Sequence, residues 1–174
     1  MSIVTNARDL SIEIIDEYLQ AARACLETHK PDGGLLGYPA MLLLLCATDA
    51  MSHGQSQRSK PYTQLDVLND PPLSLGLTKP QLGNLLKWFR DGLCHLALMV
   101  RNVTLLPDRN GLPFEFSRSD ALVGVRVPVF FESVASAWNA RKPQFIPHTQ
   151  GLPIANVQSP VLTSSQSPPA SGSV

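Results

Sequence analysis

"TKPQLGNLLKWFRDGLCHLALMVRN", residues 78–102, decides how this chain is read. Thr78 opens it as a helix N-cap, because its hydroxyl can accept from a backbone N–H that has no partner in the first turn. Gln81 stands where a capping box places Glu or Gln, and Pro80 in the first turn gives up a donor that a helix start does not need. From there Leu82, Leu85, Leu86, Phe89, Leu93, Leu96, Ala97 and Val100 recur along one apolar stripe. The period runs straight through Gly92. The stretch therefore predicts one helix from 79 to about 102, with Gly92 as the point where it can kink, roughly 35 Å long.

The opposite side of that helix is not an ordinary solvent face. Lys87, Trp88, Asp91, Cys94, His95, Leu98 and Met99 share it, and four of these are too apolar for water. A helix apolar on both sides is buried on both sides. With few other helices to cover it, the second face predicts packing on a copy of the same chain, a two-fold homodimer.

Outward from this helix, residues 9–29 predict an amphipathic helix with Leu10, Ile14, Tyr18, Ala22 and Cys25 at helical spacing. "KPDGG" stops it. Pro39 opens a second helix to about Ser52, apolar nearly all round and so central. Residues 53–77 form a long polar connection, with a short helix within "YTQLDVLND". After residue 102, Asn110-Gly111 signals a hairpin turn between short strands near 103–106 and 112–116, edge-like because of Pro107 and Pro113. A last helix runs from Pro128 to about Ala140, with Phe131, Val134 and Trp138 on one face. The fold class is thus mainly α: a helical bundle of four to five helices with a small β-hairpin near 103–116. Residues 1–145 form one helical domain, and 146–174, rich in Pro and Ser, form a disordered tail.

Formal net charge is zero, which excludes a general nucleic-acid or membrane binder by bulk charge. The charge is uneven, however. Residues 1–78 carry five Lys and Arg against nine Asp and Glu, whereas residues 79–126 carry seven against four. The basic share falls where the long helix lies, which suits an anionic ligand there. Cys25, Cys46 and Cys94 are too few and too scattered for a disulfide framework or a zinc site, and fit a reducing cytoplasm. "LLGYPAMLLLLCATDAM" is too short to cross a bilayer, and the chain opens with no signal-peptide pattern. No membrane partner is expected.

Within "RDGLCH" (residues 90–95), Asp91 and His95 are four apart and so are helix neighbours. A carboxylate there orients the imidazole and favours its charged form. Arg90 and His95 are five apart, roughly 140° around a straight α-helix. A ligand shared by both needs Arg90's long reach, a distortion near Gly92, or the matching residues of a second protomer. Arg23 to His29 has a similar spacing, but no polar residue follows Arg23 and His29 falls at the end of its helix.

Arg followed by a polar residue, with a spacer of four to six residues counted from Arg and then His, resembles the signature of the HEPN superfamily. "RDGLCH" matches its shortest form and is similar to the common R-N-x-x-x-H form. The resemblance is at superfamily level. It covers the helical frame from about 9 to 102 and this one motif; the hairpin and the last helix lie outside it. It implies a small all-α homodimer, and for many members a metal-independent endoribonuclease, including toxins of toxin–antitoxin and defence systems. On that basis the catalytic residues are Arg90 and His95, with Asp91 positioning His95. Lys87, Arg101, Arg109 and Arg118 are candidates to hold flanking phosphates. RNA brings its own 2′-OH nucleophile, so the chemistry calls for no metal and no cofactor. Expected partners are a second copy, RNA, and a protein antitoxin or regulator. The alternative is a catalytically inactive helical homodimer acting as a scaffold or regulatory interaction protein, with Arg90 and His95 structural.

Overall fold

A computed structural model describes residues 7–53, 65–89 and 103–147 of the chain. It is mainly α, with four α-helices and a small three-stranded sheet among the described residues. Helices α1 (Ala7–Glu27) and α2 (Gly37–His53) form an antiparallel pair joined by a short turn. The face of α1 turned to the core carries Ile15, Leu19 and Ala22, with Ile12 and Leu26 in line. This is rotated from the stripe expected through Leu10, which is exposed. Two apolar rows lie side by side on this helix, and contact with α2 selects the one holding the fully buried Ile15. Helix α1 ends where the Thr28 hydroxyl and N–H both donate to the Ala24 carbonyl.

Helix α2 is central, as its all-round apolar pattern predicts. Ala40, Met41, Leu44, Leu45, Ala47 and Met51 are buried. The buried Thr48 hydroxyl donates to the carbonyl oxygens of Leu44 and Leu45, so its burial costs little. The short helix expected within residues 62–70 is a 3-10 turn at Asp66–Asn69. Beyond it, the Asn69 side chain makes two hydrogen bonds to the backbone of Leu77. Its Nδ2 donates to the Leu77 carbonyl at 2.6 Å, and its Oδ1 accepts from the Leu77 N–H at 2.7 Å.

Leu77 leads into Thr78, the N-cap of α3 (Lys79–Lys87). Both halves of the capping box form: Gln81 N–H donates to the Thr78 hydroxyl and Thr78 N–H donates to the Gln81 side chain. At Trp88 and Phe89 the backbone takes π-helical form. The remainder of the predicted 79–102 helix lies outside the described residues. Trp88, assigned by the helical wheel to a partner-facing side, is only 4% exposed within a single chain. Its apolar surface therefore needs no second copy to cover it.

The sheet corrects the expected hairpin. β1 (Thr104–Leu106) and β2 (Phe114–Phe116) stand where strands were expected, but they do not pair with each other. β3 (Leu122–Arg126), which was not anticipated, lies between them, parallel to β1 and antiparallel to β2. The hairpin is β2–β3, turned at residues 117–121 with Asp120 at φ 59°. Asn110-Gly111 turns only a loop. A bulge at Val123 sets two residues of β3 against Glu115, so that Leu122 and Val125 both reach the core while Val123 stays exposed.

Helix α4 (Val127–Arg141) follows β3 without a linker and lays Phe130, Val134, Ala137 and Trp138 into the core. Phe131, expected on that face, is half-buried beneath the Arg23 guanidinium instead. Phe114 packs on Phe130 at 4.8 Å and Phe145 edges onto Trp138 at 5.1 Å, so aromatic contacts join the sheet and the chain beyond α4 to the helices. The Trp138 indole N–H donates to Asp16, which also pairs with Lys142, and this ties α4 to α1. Of the expected tail, residues 148–174 lie outside the described residues.

Candidate functional site

The motif residues Arg90, Asp91 and His95, and the phosphate candidate Arg101, lie outside the described residues. The described structure fixes what leads up to them. Helix α3 is held at its N-terminus by the capping box and by the Asn69 clasp on Leu77. Along its length it is held by the 117–121 turn: Gln81 Nε2 donates to the Asp120 carboxylate at 2.9 Å, and Asn84 Nδ2 to the Asp120 carbonyl at 2.8 Å. Inside that turn the Ser117 hydroxyl accepts from the N–H groups of Ser119 and Ala121. Leu85, Trp88 and Phe89 are buried, so the helix is anchored in the core at its last described turn.

Lys87 is exposed in the last turn of α3, and Arg118 is exposed in the 117–121 turn. The Asp120 bonds link these two elements into one unit. Neither Lys87 nor Arg118 has a carboxylate partner among the described residues, so both are open to an anion. Arg109 differs, because its guanidinium is paired with Glu132 of α4.

Sequence reasoning did not single out Arg126, at the end of β3. Its side chain is only 18% exposed. Nε donates to Asp108 at 2.7 Å, Nη2 pairs with Glu115, and Nη1 donates to the Leu112 carbonyl at 3.3 Å. These bonds to Asp108 and Glu115, and the charges they bring, hold the Arg126 pKa above its usual value. Partial desolvation pushes the Asp108 carboxyl up. The hydrogen bonds from Arg126 and from Asn110 N–H, with the Arg126 charge, outweigh it and set the pKa below the ordinary carboxylate range. With its donors turned to two carboxylates and a carbonyl, Arg126 is a clamp on the 107–113 loop and is spoken for as a phosphate ligand. The signal in the sequence was an arginine inside the strand-like "ALVGVRV", downstream of Asp108 and Glu115.

Among the described residues no group of three His, Cys, Asp or Glu could hold a metal ion, and no helix is long and apolar enough to cross a membrane. No family model, curated protein or solved structure matches the chain.

Proposed function

We propose that the chain is an endoribonuclease, or an RNA-binding relative, of HEPN type, working without a metal at a composite site between two copies. In this reading the helices assemble as a bundle of four to five, and the protein acts in the cytoplasm as a toxin or defence factor under a protein antitoxin or regulator. His95 exchanges protons near neutral pH. Arg90 stabilises the charge that builds on the phosphoryl oxygens, and Asp91 orients His95. The 2′-oxygen attacks the adjacent phosphorus, the bond from phosphorus to the 5′-oxygen breaks, and a 2′,3′-cyclic phosphate results. The 2′-OH proton passes to a base and the leaving oxygen takes one from an acid. Lys87 and Arg118 hold flanking phosphates, with Arg101; Arg109 joins them only by exchanging Glu132 for RNA.

The observation that carries the reading is the motif "RDGLCH", which follows in sequence within three residues of the capped and buried α3. The deciding experiment is cleavage of RNA by the purified protein with chelator present. Loss of cleavage in both Arg90→Ala and His95→Ala, with unchanged melting, supports the assignment; cleavage that survives both rejects it.

The engagement of Arg109 and Arg126 by carboxylates favours a second reading, because it removes two cations from any RNA-binding surface. In that reading the protein is a catalytically silent helical homodimer serving as a scaffold. It predicts no cleavage, and it predicts that the two substitutions lower stability or dimer affinity instead.

A further inference from the structure

A cleft of about 380 Å³ opens between the α1–α2 turn, strand β1 and the first turn of α4. That volume lies in the range of small-molecule sites, which are mostly apolar with a few polar groups to orient the ligand. Leu105 and Leu106 supply apolar wall, and three polar side chains line the cleft: Lys30, Tyr38 and Thr104. None of the three makes a side-chain hydrogen bond or ion pair with a described residue, and Lys30 is the one charged residue among those lining the cleft. Burial raises the Tyr38 pKa, so its hydroxyl stays neutral and able to donate at physiological pH.

The turn carrying Lys30 is already set. Lys30 N–H donates to the Gly34 carbonyl at 2.7 Å, and Gly33 N–H to the Lys30 carbonyl at 2.9 Å. The two walls touch at Gly37. A Cβ there would stand 3.1 Å from Leu105 Cδ1, so the missing side chain lets strand and helix start meet. β1 is an edge strand, and a bare edge invites an extended peptide. At three residues it offers few backbone groups to hold one, whereas one cation and two hydroxyls beside apolar wall suit a small anion.

We infer that this cleft binds a small amphipathic anion, an apolar body seated on Leu105 and Leu106 with a carboxylate held by Lys30 and the Tyr38 and Thr104 hydroxyls.

The test uses the full chain labelled with nitrogen-15. It is titrated with octanoate below its micellar range, and separately with 1-octanol, octylammonium and inorganic phosphate. Octanoate should shift the amides of Gly33, Gly34, Leu105 and Leu106 saturably, octanol more weakly, and octylammonium and phosphate least. Lys30→Gln should weaken octanoate by about fivefold, the upper end for an exposed ion pair, and leave octanol unchanged. Thr104→Phe, at an exposed strand position, should block both; unchanged melting of each variant shows that the fold is intact. Octylammonium binding as well as octanoate, phosphate alone matching octanoate, or no saturable shift at these amides overturns the inference.

Discussion

Asn69 offers the sharpest test of how α3 is held. Its amide both donates to and accepts from the backbone of Leu77, one residue before the N-cap, at 2.6 and 2.7 Å. Asn69→Ala removes both bonds and leaves a half-buried N–H and C=O to find water. At about 1 kcal/mol for each net hydrogen bond, with water recovering part of the desolvation penalty, the loss is about 2 kcal/mol. For a chain of this size that lowers the midpoint of thermal unfolding by about 4–8 °C. Asn69→Asp adds a diagnostic sign. The ionised carboxylate keeps the bond from Leu77 N–H but sets an oxygen against the Leu77 carbonyl; the protonated form can donate to it. Folding should therefore raise the Asp pKa at this position. The donated bond is fully present below the unfolded pKa and is lost as pH rises through the folded one. Stability of the Asp variant relative to the Ala variant should then grow as pH falls from 7 to 4. Urea unfolding at several pH values measures this. A loss below about 0.5 kcal/mol for Asn69→Ala, or an Asp–Ala difference flat with pH, would refute the clasp.

Three further outcomes follow from other contacts. Gly124→Ala puts a Cβ 2.9 Å from Glu115 Oε2 and 3.3 Å from Leu106 Cδ1. Because Arg126 holds the Glu115 carboxylate, the clash should cost about 1–3 kcal/mol in chemical denaturation. Thr78→Ala breaks the capping box and should cost about 1 kcal/mol, read by the same assay. The lowered Asp108 pKa means that its contribution to stability is present above the unfolded pKa and is lost as pH falls through the folded one. Asp108→Asn should thus flatten the acid limb of the stability–pH profile, and 1 M salt should shrink the difference, because the group is exposed.

What the sequence made legible is whatever rests on local chemistry. The "TKPQ" cap, the all-apolar α2 and the position of α4 could be read because each depends on neighbours within a turn or two. β3 could not. Its partner β1 is separated from it by β2 and two loops, and the local Asn110-Gly111 signal argued for a nearer pairing that the chain does not make. The wheel for α3 failed at Trp88 for a related reason. A wheel ranks the faces of one helix and carries no information on what distant parts of the same chain cover, and Trp88 is buried within the core of its own chain. For the candidate site, the motif spacing was visible, but the partners of Arg109 and Arg126 were not, since Glu132 and Asp108 reach them only once strand and helix are in place.

The middle position of β3 has a consequence for synthesis on the ribosome. Both outer strands are made before the strand that gives them their hydrogen bonds, so neither can be satisfied until Leu122–Arg126 has emerged. The α1–α2 pair can collapse early, whereas the brace that Asp120 sets on α3 arrives at the same late moment as the sheet. A nascent chain cut short of Leu122 would lose the sheet in one step rather than strand by strand. Formation of the sheet and the bracing of α3 are thereby timed together to the emergence of β3.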